Sequence, residues 1–240
     1  MKILGLDTAT STAGIAILDG EQVVAEGRHD TRGRGADLLV AIDELCRRAQ
    51  VAPGALDAIA IGAGPGSFTG LRIGMATAKG IAFAAGRPLW AVSSLAALAD
   101  DAHHELARDA PAERAVICAA IDARRGEVFA GCFTGGAALG PERVLAPGEL
   151  AGWAHELARA ASAPVRFAGD AIDAYLDVLG PATAELGWLA TRTPSGRAVA
   201  WLARAGARVD VTRGGAPTYI RPSEAEVKYP DGVPGALRRR

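Results

Sequence analysis

The residues of most chemical use in this chain of 240 lie in Gly64-Pro65-Gly66-Ser67-Phe68-Thr69-Gly70. The Gly-Pro-Gly triplet cannot extend the apolar run over 58–63, so it forces a turn. Ser67 and Thr69 are good helix N-caps, and first-turn amides beyond them would present N–H groups to an anion. Along the helix that follows, Gly70, Gly74 and Ala78 recur at i, i+4, i+8, a stripe without bulk that a second backbone can approach closely. Two readings stay open at this point: an anion-receiving turn, or a tight turn opening a core helix.

Other chemistries lack their residues. The chain has no HExxH, no Walker A loop and no Cys/His pair, and Ser67 does not have the G-x-S-x-G spacing of a hydrolase elbow. His29, His103, His104 and His155 read as surface residues; His103 and His104 are adjacent and point to different sides of a helix. Cys46, Cys118 and Cys132 show no CxxC spacing and read as buried thiols of a reducing compartment. With 26 basic against 27 acidic residues, no overall field draws nucleic acid. Hydrophobic residues make up 50% of the chain, enough for a substantial core. No apolar stretch is long enough to cross a bilayer. The opening Met1-Lys2-Ile3-Leu4-Gly5-Leu6-Asp7 reads as a strand ending in a carboxylate, not as a signal peptide. A soluble, cytoplasmic protein is expected.

These residues need elements to position them. Strands are expected over 2–7, 14–18 and 22–27, with Asp19-Gly20 as a hairpin turn. Leu38, Leu39, Ile42, Leu45, Cys46 and Ala49 mark one face of a helix. A strand over 56–63, a helix over 69–85, a strand over 88–92 and a helix from Ser94 complete a first half. Its order, β-β-β-α-β-α-β-α, predicts a mixed sheet covered by helices. The second half begins alike, with a strand over 115–121, the turn from Asp122 to Glu127 and a returning strand over 128–133. Asp122 ends its strand as Asp7 ends the first, which indicates a duplicated unit. Later come a helix over 147–161, a strand over 165–168 and a helix over 195–205. The expectation is an α/β protein of two ribonuclease-H-like lobes, as in the actin, sugar-kinase and Hsp70 superfamily, with the second lobe reduced. The charged segment 103–114 marks the boundary, giving lobes over 1–102 and 103–240. Arg238–Arg240 reads as a frayed tail.

Four segments together resemble one family: Leu6-Asp7-Thr8-Ala9-Thr10, Gly64-Pro65-Gly66-Ser67-Phe68-Thr69-Gly70-Leu71-Arg72-Ile73-Gly74, Ala120 to Phe129, and Pro217-Thr218-Tyr219-Ile220-Arg221. In that order they resemble the bacterial TsaB (YeaZ) family over essentially the whole chain. Those proteins are non-catalytic partner subunits in the biosynthesis of N6-threonylcarbamoyladenosine at position 37 of tRNAs reading ANN codons. The resemblance implies a paralogous catalytic partner, TsaD, which binds metal through two histidines on one helical face. Ser94 and Leu98 stand at those places here, and neither side chain makes a metal site. No metal and no intrinsic cofactor are therefore expected.

The superfamily resemblance implies that Asp7, Thr8, Thr10 and Asp122 would grip nucleotide phosphates, with turn-capping as the plainer role of both aspartates. No Gly-Gly loop opens a helix where adenosine would lie, which disfavours ATP turnover by this chain alone. The resemblance also implies a heterodimer with TsaD through the first lobe's helices. The candidate contacts are Leu39, Ile42, Cys46, Gly70, Ile73, Gly74, Met75 and Ala78. The same surface would support a homodimer when the partner is missing. TsaE, tRNA bound through the complex, and ATP or ADP at the subunit interface complete the expected set. Family members often carry a histidine before the first helix, where Arg34 and Asp37 stand in this chain. Arg72, Arg124, Arg125 and Arg221 are candidates for phosphate contact at a complex surface, with ion pairing as the ordinary role. The alternative from another class is a stand-alone ATP-dependent phosphotransferase using Asp7 and Asp122 about Mg²⁺. A third is a tRNA-binding module, against which the balanced charge argues.

Overall fold

The computed structural model describes residues 1–31, 35–183 and 187–221. Arg34 and the arginine tail at 238–240 lie outside them. The chain opens with β1 (Lys2–Asp7), β2 (Thr12–Asp19) and β3 (Gln22–Asp30), an antiparallel meander. Asp19 and Gly20 turn the β2–β3 hairpin, Gly20 taking the positive φ that the turn needs. Helix α1 (Gly35–Ala49) follows, then a short 3₁₀ turn, β4 (Ala58–Gly62), α2 (Phe68–Ala85), β5 (Leu89–Val92) and α3 (Ser94–Asp109). Strands β4 and β5 add parallel to β1, as β-α-β crossovers require.

The second lobe contains β6 (Val116–Arg124), β7 (Glu127–Thr134), β8 (Ala137–Ala138), β9 (Arg143–Leu145), α4 (Pro147–Ala160), β10 (Val165–Ala168) and the short helices α5 (Ala171–Ala174) and α6 (Leu176–Ala182). The chain then returns through α7 (Gly196–Arg204) and β11 (Val209–Asp210). The first sheet has the order β11-β5-β4-β1-β2-β3, and the second β10-β6-β7-β8 with β9 also on β7.

Alternation along β1 divides the first lobe into two packed layers. Leu4 and Leu6 face α1 and α2, meeting Leu38, Ile42, Leu45 and Met75. Ile3 faces the opposite way, toward Ala198, Val199 and Leu202 of α7. That approach is close: a Cβ on Gly5 would lie 2.0 Å from the Gly196 carbonyl oxygen. Only glycine lets the start of α7 lie on the sheet.

Two expectations about organisation change. A cut at 102/103 passes through the middle of α3, because Leu95, Leu98, Ala99, Ala102 and Leu106 recur as one buried face against the second sheet. His103, His104, Arg108 and Asp109 are exposed on that helix and Glu105 accepts from the Ala190 and Thr191 N–H groups, and none of them interrupts it. Moreover α7 and β11, late in sequence, belong spatially to the first lobe. The strand ending at Asp122 also runs on to Arg124. The lobes are tied where α3 meets α7. Asp101 accepts from the Ser195 backbone N–H and hydroxyl, each at 2.7 Å, and Arg197 bridges Asp100 and Asp101 at 2.7 Å.

Candidate functional site: the inter-lobe cleft and the outer helical face

A cleft of about 770 Å³ lies between the lobes. Its first-lobe wall comprises the β1–β2 turn and the start of α2; its second-lobe wall comprises the β6–β7 hairpin and Asp170, with residues 218–221 along it. Ser67 caps α2 as expected, its Oγ accepting from the Gly70 N–H at 3.2 Å. One turn further, the Arg72 guanidinium lies 3.8 Å over the Phe68 ring and its Nε donates to the Tyr219 hydroxyl at 3.2 Å. Phe68 and Tyr219 rings stand 5.3 Å apart. Cation, ring and ring form one continuous surface.

The two strand-end aspartates have diverged. Asp7 is fully buried; its carboxylate accepts from the Ala9 N–H at 2.8 Å and the Ser94 hydroxyl at 2.7 Å. Burial pushes its pKa up to about 6, these bonds opposing a larger rise. It does not line the cleft, and neither does Thr8, whose Oγ1 is buried without a hydrogen-bond partner among the described residues. Thr10 does line it, but its hydroxyl is bonded to the Thr12 carbonyl at 2.9 Å. Of the four expected phosphate-gripping residues, the structure brings only Thr10 and Asp122 to the cleft wall. Asp7 is turned inward because the sheet and α3 close over the β1 end.

Asp122 accepts from the Arg124 N–H at 2.7 Å and the Tyr175 hydroxyl at 2.8 Å, and Arg124 Nη1 lies 3.1 Å away. Beside it, Asp170 accepts from the Asp122 N–H at 2.9 Å; burial raises Asp170 to about 6. The hairpin tip is strained. Arg124 and Arg125 have φ of 63° and 58°, followed by Gly126 at 77°. Left-handed backbone costs about 1–2 kcal/mol per non-glycine residue, and a two-residue hairpin of this type favours Asn-Gly. Gln50 and Ser162 also have positive φ, but they follow the ends of α1 and α4, where that conformation is routine. The turn itself requires the positive φ of Arg125, whereas Arg124 takes it at the register shift of β6, and strain of this kind gathers at working sites.

Ser94, at one of the two positions compared with metal-binding histidines, donates to Asp7 and accepts from the Gly64 N–H at 3.1 Å. Leu98, at the other, is fully buried in the core. Among the described residues no group of three or more His, Cys, Asp or Glu is placed to hold a metal ion.

The expected docking residues separate sharply. Ile42, Cys46, Met75 and Ala78 are buried in the chain's own core. Gly70 and Gly74 are buried as well, and Ile73 is partly buried against that core. The small-residue stripe is used internally: a Cβ on Gly74 would lie 2.1 Å from Thr8 Oγ1, and one on Gly70 2.3 Å from the Thr8 carbonyl oxygen. The backbone that approaches α2 is therefore the β1–β2 turn of the same molecule. Leu39, expected on the buried face, is instead 54% exposed, being one helical step past Leu38. With it on the outer surface are Val40 at 56% and, on α2, Phe83 at 91%. Val40 and Phe83 have no part in the motifs read from the sequence, and Phe68 enters there only as a member of the Gly64–Gly70 motif. Phe83 stands one helical step past the buried Ala78–Ala82 row, on the outer side of α2.

Two lobes of mixed sheet flanking a cleft, with helices covering both faces of the first, define the actin-like α/β class. At the level of fold alone, component A of the (R)-2-hydroxyglutaryl-CoA dehydratase of Acidaminococcus fermentans agrees, with a TM-score of 0.53 at 12% identity over 86% of this chain and 99% of that one. The model of the TsaD family, tRNA N6-adenosine threonylcarbamoyltransferase, matches residues 32–185. The tRNA threonylcarbamoyladenosine biosynthesis protein TsaB of Bacillus subtilis is 33% identical over 236 residues, spanning 95% of this chain and 98% of that one. The solved YeaZ of Pseudomonas aeruginosa is similar at 29% identity and a TM-score of 0.70, covering 91% of this chain and 99% of that one. The chain belongs to the TsaB family.

Proposed function

We propose that this protein acts in tRNA threonylcarbamoyladenosine biosynthesis as a non-catalytic subunit, docking on a TsaD catalytic subunit through the outer faces of α1 and α2. The observation that carries this reading is the exposed apolar set on those two helices, Leu39, Val40 and Phe83. A phenylalanine 91% open to water has no role in the fold of its own chain. The buried commitment of Ser94 and Leu98 supports the non-catalytic part, since both positions already serve internal contacts. Asp7 lies away from the cleft, so a phosphotransferase would lack the carboxylate that reading assigned to Mg²⁺. TsaE and tRNA would join through the complex, and ATP or ADP would lie at the subunit junction. Without TsaD the same face would serve a homodimer. This reading places the work in the cytoplasm. No helix among the described residues is long and apolar enough to cross a membrane.

Co-purification of the Leu39→Asp/Phe83→Asp double variant with TsaD tests this. Loss of the complex is expected while thermal unfolding stays within a few degrees of wild type. A complex that survives both charges would remove the docking assignment.

A further inference from the structure

The inter-lobe cleft carries more than an empty phosphotransferase site would. One wall is the Arg72–Phe68–Tyr219 surface, in which Phe68 and Tyr219 each remain 43% exposed. The other presents Arg124, 77% exposed beyond its contact with Asp122, next to Arg125 on the strained hairpin tip. Arg221 joins the set, bonded to Glu127 at 2.7 Å with its guanidinium 5.8 Å from the Phe129 ring. All of these line one cavity.

Flat π surfaces opposite guanidinium forks match a chain of bases joined by phosphates. Arginine forks grip phosphate in pairs of hydrogen bonds, and aromatic rings accept any base by stacking. The Arg124 guanidinium is the open member of its pair, and the Asp122 carboxylate keeps the Arg124 N–H and the Tyr175 hydroxyl as donors, so the guanidinium can turn to a phosphate without stranding that carboxylate. An acidic peptide would use the arginines but leave the ring surface without a partner. Magnesium-bound nucleotide would want free carboxylates, whereas Asp7 is sealed and Asp122 is held by the Arg124 N–H and the Tyr175 hydroxyl. The near-zero total charge is no obstacle, because four arginines against Asp122, Asp170 and the Glu127 that pairs Arg221 still leave the site locally positive.

We propose that the inter-lobe cleft binds a single-stranded RNA segment, its phosphates on Arg124 and Arg125 and a base against the Phe68–Tyr219 surface. The site is separate from the docking residues Leu39 and Phe83, so the two readings fail independently.

The test is fluorescence anisotropy of a labelled hexaribonucleotide titrated with the full chain at several salt concentrations, with ATP as competitor. Arg124→Gln/Arg125→Gln keeps long polar side chains at the tip, and Tyr219→Ala trims the ring surface. Expected is binding that weakens with salt, a loss of tenfold or more in the double glutamine variant, and a salt slope shallower by roughly 1.4, the value for two lost phosphate contacts on a single strand. Tyr219→Ala should weaken binding several-fold without changing the slope. Both variants should still co-purify with TsaD and unfold within a few degrees of wild type. No binding by the wild type, equal binding by both variants, or ATP competing as tightly as the hexamer binds would overturn the proposal.

Discussion

The two lobes begin with the same device, a strand that ends at an aspartate before a turn, and they treat it in opposite ways. In the first lobe the turn is folded inward: Asp7 is sealed between Ala9 and Ser94, and Thr8 fills the notch left by Gly70 and Gly74. In the second the hairpin runs two residues further and turns outward, placing Asp122, Arg124 and Arg125 on the cleft wall. One copy has become packing and the other has remained surface. A shared motif thus fixes where the chain turns but not what the turn faces; the elements closing over it decide that.

The largest effects should fall on the inward copy. Gly74→Leu and Ile42→Asp are expected to abolish folding, the first by forcing bulk to within 2.1 Å of Thr8 Oγ1, the second by burying an unpaired charge. Overpacking costs about 1–3 kcal/mol and at times more, and an unpaired buried charge more still. Loss of soluble protein or of a cooperative melting transition is the readout. Retention of fold with selective loss of TsaD would return these residues to an interface.

Next is pH. Asp7 and Asp170 hold their protons up to about 6 when folded, against 3.8 for an ordinary aspartate. Between pH 4 and 6 the native state binds more protons than the unfolded chain, so stability falls as pH rises through that window and stays lower above it. Each group accounts for at most about 3 kcal/mol. Urea unfolding at pH 5 and pH 7 should show the more stable protein at pH 5, and Asp7→Asn should flatten a large part of the slope. Asp170→Asn should flatten most of the remainder. A smaller effect, about 1 kcal/mol, is expected of Arg221→Ala, whose pair with Glu127 is partly exposed.

Much of the inward architecture was legible because it rests on local signals. Lys2–Asp7 and Val165–Ala168 are strands with the bounds that apolar runs predict, and α2 begins beside the Ser67 cap and ends at Gly86 in the left-handed conformation. Long-range features were not legible. Strands β8, β9 and β11 are two or three residues long and exist only through pairing with neighbours. The boundary was read from charge in 103–114, yet the Leu98–Ala102–Leu106 spacing carries α3 through it. Periodicity put Leu38 and Leu39 on one face, and only the sheet beneath shows that one turns inward and the other outward. The small-residue stripe was correctly read as a place of close approach; which backbone approaches is a tertiary fact.

On the function proposed above, this chain contributes a surface to its pathway and no reacting group of its own. Threonylcarbamoyl transfer to tRNA, reconstituted with TsaD and its other components, addresses it directly when Asp7→Asn and Phe83→Asp are compared with wild type. Full stimulation by Asp7→Asn and little by Phe83→Asp are expected. An Asp7→Asn protein that still forms the complex but supports no transfer would contradict it.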